Sequence, residues 1–330
     1  MNSQTRLVLG TALAGSLLLT GCGAGQPAAP PATSAASGEE TQQLTEIGIG
    51  VLPIVDVAPL YLGMKQGIFE KHGIKLVPQI AQGGAVIVPA VTSGQMQIGF
   101  SNVTSLAIAR DKGLRVKIIA PASGSTGVDG ADYTAVMAKK DSAVTDAKSL
   151  EGKRVAVNTM NNILDSTVSA SMRKKGADPT KVKFVEVPFP DMAAQLEAGN
   201  VDAIVVSEPF VTVAEDEGNV QVLSNYALAT EDLTVATYFA TEEFIQNEPQ
   251  TLAAFRAAVV ESQEFATANP DKVRQILTEY TKMDKSVAER VTLATYPASV
   301  NKVAVADVAQ MAETDGLIKD AEKVSDLVAE

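Results

Sequence analysis

Residues 47–100 read IGIGVLPIVDVAPLYLGMKQGIFEKHGIKLVPQIAQGGAVIVPAVTSGQMQIGF. Short runs of β-branched residues alternate in this stretch with longer segments of helical periodicity. Because consecutive parallel strands need a crossover, the order β-α-β-α-β indicates an α/β lobe with a mostly parallel sheet. The pattern predicts strands at 47–51, 74–78 and 96–100, and helices at 58–66 and 86–92.

The same order of elements recurs about 105 residues further along the chain. Gly94 and Gly199 follow the second helix of each set, at the position where a left-handed residue commonly ends a helix. The repeat therefore predicts two similar α/β lobes, with ligands bound at the carboxyl ends of their parallel strands. The second set comprises strands at 154–157, 182–187 and 201–206, and helices at 165–175 and 192–198.

The last third of the chain is largely helical after one further strand, predicted at 238–241. We expect this helical tail to pack on the first lobe. One lobe would then comprise residues 46–135 and 238–330, the other residues 136–237, and two crossing segments would act as a hinge. Helices are predicted at 247–267, from the Asn269-Pro270 step to 280, at 286–296 and at 305–314.

The N-terminus predicts the compartment. Residues 1–21 carry one cation, Arg6, and then an uncharged apolar run at 7–20, which is the layout of a secretory signal peptide. That run is shorter than the roughly 20 residues that cross a bilayer as a helix. Leu19-Thr20-Gly21-Cys22 resembles the bacterial lipobox, so we expect cleavage and lipid attachment at Cys22. An ordinary cleaved signal with an incidental cysteine is the alternative.

The segment that follows Cys22 is dominated by Gly, Ala, Pro, Ser and Thr. Such a composition cannot bury enough apolar surface to order itself, so residues 22–45 are expected to be a flexible linker. The folded body is then expected to begin near Ile47. These features predict a secreted protein that is held at the outer face of the cell membrane by its lipid.

The composition excludes several classes of function. The 330 residues include 39 acidic and 27 basic side chains, giving a net charge of −12, and the basic residues form no stripe, so nucleic acid is not an expected partner. One cysteine excludes an internal disulfide and a Cys-based metal cluster, and one histidine leaves little material for zinc or Ser-His-Asp chemistry. We expect no metal, no cofactor and no catalytic residue.

The loops at the carboxyl ends of the predicted strands are rich in Ser, Thr, Asn and Gly, and each precedes a helix. Their side chains either cap those helices or help to bind a ligand, and exposed helix starts can hold an anion. The expected ligand-binding residues are Ile54, Val55, Asp56, Gln82, Gly83, Ser101, Asn102, Val103, Asn158, Met160, Asn161, Asn162, Phe189, Asp191, Glu208 and Phe210.

The carboxylates in these loops have two possible roles, in ligand chemistry or in the structure. Asp56, Asp165, Asp191 and Glu208 are able to contact a cationic group of a ligand or to act as an acid and base pair, although Asp165 and Asp191 also suit helix caps. Glu208 precedes Pro209 and suits a functional role or a hinge and packing role. No arginine lies in a candidate loop, so an anion would rest on helix N-termini, hydroxyls and amides.

Four segments of the chain carry a family resemblance: 53–76, 93–102, 150–157 and 198–209. They resemble the substrate-binding proteins of bacterial ABC importers, in the nitrate, taurine, alkanesulfonate and thiamine-pyrimidine-precursor group. The resemblance implies a periplasmic-binding-protein fold whose two lobes close on a small solute, with no catalysis of its own. This chain departs from the group after Val157. The group often has Pro or Gly together with Ser at this point, and this chain has Asn158-Thr159-Met160-Asn161-Asn162.

Two classes of function follow. The first is a monomeric, lipid-anchored solute-binding component of an ABC importer, which binds a small organic or anionic solute such as a sulfonate or carboxylate and delivers it to the permease. A pyrimidine-type vitamin precursor is an alternative solute. The second class is an enzyme on the same scaffold, a lyase that uses Glu208 or Asp191 as a general base.

Overall fold

The computed structural model describes residues 43–330. The predicted signal peptide, Cys22 and nearly all of the predicted linker lie outside these residues. The first strand begins at Thr45, two residues before the predicted start of the folded body. Within residues 43–330, no helix is both long enough and apolar enough to cross a membrane.

Residues 43–330 form ten strands and thirteen α-helices. The strands are β1 Thr45–Val51, β2 Ile74–Ile80, β3 Ile98–Asn102, β4 Val116–Gly124, β5 Thr134–Lys139, β6 Arg154–Val157, β7 Lys183–Glu186, β8 Ala203–Ser207, β9 Asn219–Leu223 and β10 Thr234–Thr241. The helices are α1 Ala58–Lys65, α2 Ile68–Lys71, α3 Gly84–Thr92, α4 Val103–Asp111, α5 Ile163–Lys174, α6 Phe189–Glu197, α7 Phe210–Asp216, α8 Asn225–Ala229, α9 Glu242–Asn247, α10 Pro249–Ala268, α11 Pro270–Tyr280, α12 Lys285–Ala288 and α13 Lys302–Thr314.

The strands form two five-stranded sheets with the same plan. The first has the order β2-β1-β3-β10-β4 and the second the order β7-β6-β8-β5-β9. The first three strands of each sheet are parallel, and the fourth strand is antiparallel to both of its neighbours. The predicted fold class, two mixed and mostly parallel sheets flanked by helices, is confirmed.

The chain crosses between the sheets twice. It leaves the first sheet after β4, enters the second with β5, and returns with β10. The predicted lobe limits at residues 135 and 238 fall inside β5 and β10, because β5 was not among the predicted strands and β10 begins earlier than expected. In the tail, α10 and α11 pack on α1, while α13 packs on α4 and also touches α5.

The predicted helix at 286–296 is wrong beyond Ala288, where α12 ends. Main-chain groups in this segment bond to other parts of the fold instead of to a helical turn. The Thr292 N–H donates to the Glu208 carboxylate, and Thr295 forms a β-bridge with Gly124. These tertiary hydrogen bonds satisfy the backbone groups that a helix would have paired internally.

The predicted helix at 247–267 is confirmed as α10, and a short helix that was not predicted, α9, precedes it. Pro249 occupies the first turn of α10, where its missing N–H costs nothing. The residue before a proline is disfavoured in helical conformation, and Glu248 accordingly has φ −124° and ψ 49°. Gly94 and Gly199 have φ of 78° and 72°, which confirms their predicted helix-ending role.

Two glycines let α3 approach the first sheet closely. Gly50 and Gly99 are paired across β1 and β3, and Ile87 of α3 lies against both. A Cβ atom at Gly50 would lie 2.7 Å from the Ile87 Cγ2 methyl, and one at Gly99 would lie 2.6 Å from it. The Ile87 side chain is fully buried there. This packing sets the position of the N-terminus of α3 at the end of the sheet.

Replacing Gly99 by Ala should destabilise the protein by about 1–3 kcal/mol, because the new methyl group would overlap Ile87 and the Phe239 ring. Urea denaturation measures the change. Gly48→Ala in the neighbouring strand is the matched control, since its Cβ would have one close contact, 3.1 Å to the flexible end of the Gln97 side chain, and its other neighbours would lie at 3.7 Å or more. Equal losses from the two variants would contradict close packing at Gly99.

Candidate functional site

The carboxyl ends of the parallel strands of both sheets meet at one cavity. Its free volume is about 30 Å³, which accommodates water but no organic solute in this closed arrangement. The lining alternates apolar and polar side chains from both lobes. The first lobe and β10 contribute Leu52, Ile54, Asp56, Gly84, Phe100, Asn102, Val235 and Ala236, and the second lobe contributes Asn158, Asn162, Ile163, Leu164, Phe189, Ser207 and Tyr226.

Three asparagines of the lining also hold the local backbone. Asn102 is the N-cap of α4, and its Oδ1 accepts from the Ser105 N–H at 2.8 Å. Asn162 is the N-cap of α5, with its Oδ1 2.6 Å from the Leu164 nitrogen. Asn158 accepts from the Asn162 amide at 3.1 Å and donates across the cleft to the carbonyl oxygen of Gln82 at 3.0 Å. Capping and cleft lining are therefore combined in the same residues.

Asp56 lies in the short 3₁₀ turn that follows β1 and is almost fully buried. Its Oδ1 accepts from the Ser123 hydroxyl at 2.5 Å and from the Tyr133 hydroxyl at 3.1 Å. Its Oδ2 has no hydrogen-bond partner among residues 43–330. Burial raises the pKa of Asp56 to about 6, and the Ser123 and Tyr133 hydrogen bonds oppose that shift.

Glu208 joins the two lobes and does not line the cavity. Its main-chain carbonyl accepts from the Val55 N–H at 3.0 Å, and its carboxylate accepts from the Thr292 N–H at 3.0 Å. The N–H and hydroxyl of Thr212 also donate to the carboxylate, at 3.0 and 2.8 Å. Burial raises the pKa of Glu208 to about 7. Two roles were predicted for Glu208, a functional one and a hinge and packing one, and these contacts correspond to the second.

Two ion pairs link the lobes away from the cavity. Arg290, which follows α12, makes two hydrogen bonds to Asp216 at the end of α7, at 2.8 and 2.5 Å. Asp315, which follows α13, accepts from the Arg173 guanidinium at 2.7 Å and from the Ser166 hydroxyl at 2.9 Å. Partly exposed pairs of this kind each contribute on the order of 1 kcal/mol or less.

The structure brings six of the predicted ligand-binding residues to the cavity. A second group lies beside it, in the core or at the seam between the lobes: Gln82 and Gly83 face Asn158 and Thr159, and Phe210 stacks on Phe189 with ring centroids 5.5 Å apart. The six lining residues are Ile54, Asp56, Asn102, Asn158, Asn162 and Phe189, and the others near them are Val55, Ser101, Val103 and Glu208.

Met160, Asn161 and Asp191 are not brought to the cavity. Met160 and Asn161 are exposed and line an outer groove together with Asp165, and Asp191 is exposed in the first turn of α6. Asp165 closes a capping box at the start of α5, accepting from the N–H groups of Asn161 and Asn162 at 2.7 and 2.8 Å. Burial raises its pKa to about 6.

Several lining residues were not among the predicted ones. Val235 and Ala236 lie in β10, whose predicted start at 238 left them outside the strand. The apolar run that precedes Tyr238 would have extended that strand. Ser207 and Leu52 belong to predicted strand-end loops and differ from their selected neighbours only in the direction of the side chain. Among residues 43–330, no three His, Cys, Asp or Glu side chains come together as a metal site.

A family model described as NMT1/THI5 like matches residues 54–273, about two thirds of the chain. The chain belongs to the NMT1/THI5-like family. The match spans strands and helices of both sheets, so it includes every residue that lines the cavity except Leu52. Membership confirms the resemblance to the importer-associated binding proteins that the sequence segments indicated.

Similar proteins in this family are named as binding proteins. The chain is 27% identical to the taurine-binding periplasmic protein of Escherichia coli K12 over 57% of its own length and 56% of that protein's. It is 24% identical to a putative aliphatic sulfonates-binding protein of Bacillus subtilis 168, over 85% of this chain and 80% of that one. The chain spans about half the length of the first curated relatives that it matches.

Solved structures share the fold. The alkanesulfonate-binding protein of Xanthomonas axonopodis pv. citri, bound to MOPS, superposes with a TM-score of 0.73 at 14% identity. The superposition covers 86% of this chain and 98% of that one. The predicted two-lobed binding-protein architecture is thereby confirmed, and at this identity the likeness concerns the fold alone.

The free energy of unfolding should fall as the pH rises from 5 to 7. Asp56, Asp165 and Glu208 hold their protons more tightly when folded than at the ordinary pKa values of 3.8, 3.8 and 4.5. Their stabilising contribution is complete below about pH 4 and is lost as the pH passes the folded values, at most on the order of 3 kcal/mol for each carboxyl. Urea denaturation at pH 5, 6, 7 and 8 measures the slope, and Asp56→Asn should flatten it. A free energy that rises over this range would contradict the buried carboxyls as its cause.

Proposed function

We propose that this protein is the solute-binding component of an ABC importer, acting outside the cytoplasm. The observation that carries the proposal is the cavity itself, in which Asn102 of one lobe and Asn158 and Asn162 of the other converge. Cavities between two lobes at the carboxyl ends of parallel strands are typical ligand sites. The names of the relatives, which bind taurine and aliphatic sulfonates, support a small-solute ligand.

Binding requires the lobes to move apart. Because the closed cavity holds about 30 Å³, an organic solute enters only when the lobes open. The lobes are built on the two sheets, and the crossings at 125–133 and 230–233 form the hinge between them. The solute is a small organic molecule with a polar or anionic head, held by amide and hydroxyl groups against apolar walls. A pyrimidine-type precursor remains within this description.

The positions of the two candidate bases support binding over catalysis. The Glu208 carboxylate already accepts three hydrogen bonds and lies outside the cavity lining, and Asp191 is exposed on α6. A general base must reach the proton that it removes, and neither carboxylate reaches the cavity. We therefore assign no catalytic residue and no cofactor to the protein.

The anchor and the partners complete the proposal. Cys22 carries the lipid that holds the protein at the outer membrane face, and residues 23–42 connect it to the folded body. The protein works as a monomer that docks on the permease of its importer. One lipid-anchored copy needs no further subunit to close its cavity, since both walls come from the same chain.

A solute that binds should raise the melting temperature of the full chain in detergent. The chain is screened by thermal melting against sulfonates, carboxylates, nitrate and pyrimidines. A hundredfold excess over Kd adds about 2.7 kcal/mol of stability. For any solute that binds, Asn158→Ala should raise Kd at least tenfold, because this side chain lines the cavity and bonds across it. Isothermal titration calorimetry measures Kd for the unchanged protein and for Asn158→Ala.

Asn161→Gly is the matched control for Asn158→Ala. Asn161 neighbours the cavity residues in sequence but is exposed, and glycine tolerates its φ of 55°. Its Kd should stay within twofold of that of the unchanged protein. Equal effects of the two variants would place the solute elsewhere, and no shift of melting temperature with any of these solutes would contradict the proposed function.

Replacing Cys22 by Ser should release the protein from membranes, because the lipid would have no sulfur to join. After expression in a bacterium, fractionation followed by immunoblotting should find the unchanged protein in the membrane fraction and Cys22→Ser in the soluble extracytoplasmic fraction. Mass spectrometry of the unchanged protein should show acyl chains on Cys22. Equal partitioning of the two proteins would contradict the lipid anchor.

A further inference from the structure

Among residues 43–330, Asp56 is the only formally charged residue that lines the cavity. No lysine or arginine of this part of the chain lines it, so no cationic side chain there offsets the carboxylate. The nearby Asp132 adds negative potential and is itself held by the Ser125 hydroxyl at 2.5 Å and the Thr126 N–H at 3.1 Å. These two carboxylates favour a cationic or hydrogen-bond-donating group beside Asp56 over an anionic one.

Asp56 has one unused oxygen. Both of its hydrogen-bond donors, the hydroxyls of Ser123 and Tyr133, go to Oδ1. Oδ2 is buried and has no partner among residues 43–330, although the residue lines the cavity. A buried acceptor without a donor destabilises the folded state, and more so when it is charged. A ligand that brings an N–H donor to this carboxylate removes that cost when it binds.

Two of the helix starts at the cavity, those of α4 and α5, are capped by side chains, whereas α3 and α6 have no side-chain cap. The Asn102 side chain takes the Ser105 N–H at the start of α4, and the Asn162 side chain takes the Leu164 N–H at the start of α5. Asp165 takes the Asn161 and Asn162 N–H groups and brings a second carboxylate to the start of α5. These backbone donors are therefore not free to receive a sulfonate or nitrate oxygen.

The rest of the wall is apolar and aromatic. The rings of Phe100, Phe189 and Tyr226 line the cavity together with Leu52 and Ile54. Such a wall suits a hydrocarbon or heterocyclic body, with the polar contacts left to the amides and to the carboxylate.

We propose that Asp56 selects solutes that carry a nitrogen-bound hydrogen, on an ammonium or a ring amino group, over anions that lack such a donor. This inference rests on the proposed function and narrows it. A zwitterion such as taurine and an aminopyrimidine both satisfy the requirement. Nitrate and simple alkanesulfonates do not.

Three pairs of probes differ mainly in the donor: taurine and ethanesulfonate, β-alanine and propionate, and 4-aminopyrimidine and pyrimidine. Titration calorimetry on the full chain in detergent should show that the donor-bearing member of any pair that binds has a Kd at least tenfold lower. Asp56→Asn should bring the two members to within twofold of each other. Asparagine keeps an oxygen for the Ser123 and Tyr133 hydroxyls, and thermal melting checks that the variant is folded.

Asp191→Asn is the matched control, because it removes an exposed carboxylate that does not line the cavity. It should keep the tenfold preference. If the unchanged protein binds the donor-free members equally or better, or if Asp56→Asn folds and keeps the preference, the inference is overturned while the proposed function stands. The comparison within the unchanged protein decides the question even if Asp56→Asn does not fold. Binding of none of the six probes at millimolar concentration counts against the proposed function, and the inference falls with it.

Discussion

The site depends on one topological constraint. Parallel strands are joined by crossovers, so their carboxyl ends all lie at one edge of a sheet and each is followed by the start of a helix. In this protein β1, β3, β6 and β8 obey that constraint in two sheets of the same plan. Helix starts need polar caps, and residues such as Asn102 and Asn162 therefore collect at both edges. The two edges face each other, and their caps become the wall of a cavity.

The lobes are joined by a small set of polar contacts, which suits the opening that the proposed function requires. Glu208 accepts from the Val55 and Thr292 N–H groups, Asn158 donates to Gln82, and Ser166 donates to Asp315. Two partly exposed ion pairs lie away from the cavity. Each of these contacts contributes modestly to the free energy of the closed state. A ligand that adds a few kcal/mol of contact in the closed state is then able to shift the balance between open and closed lobes.

The fold was largely predictable because periodicity and helix-ending glycines are local properties, whereas the site was only partly predictable. Asn102, Asn158 and Asn162 were found from strand-end position and capping chemistry alone. Met160 and Asn161 lie in the same loop as Asn158 and Asn162 but are exposed. Asn161 adopts φ 55°, and its N–H donates to Asp165 in the capping box. Glu208 lies outside the cavity lining and accepts a hydrogen bond from the Thr292 N–H. Thr292 is 84 residues away in sequence and belongs to a segment predicted as helix. Side-chain direction and distant partners are tertiary facts that no spacing in the sequence expresses.

The net charge of −12 is a poor guide to the ligand, because the field inside a small cavity is set by the groups that line it. The strand-end loops suggested an anion held at helix starts. In the structure the side chains of Asn102, Asn162 and Asp165 occupy backbone donors at the starts of α4 and α5, whereas α3 and α6 have no side-chain cap. The wall also leaves one acceptor unsatisfied, the second oxygen of Asp56. Complementarity then requires the solute to supply the donor, and an anionic head would have to rest on amide and hydroxyl groups that have donors to spare.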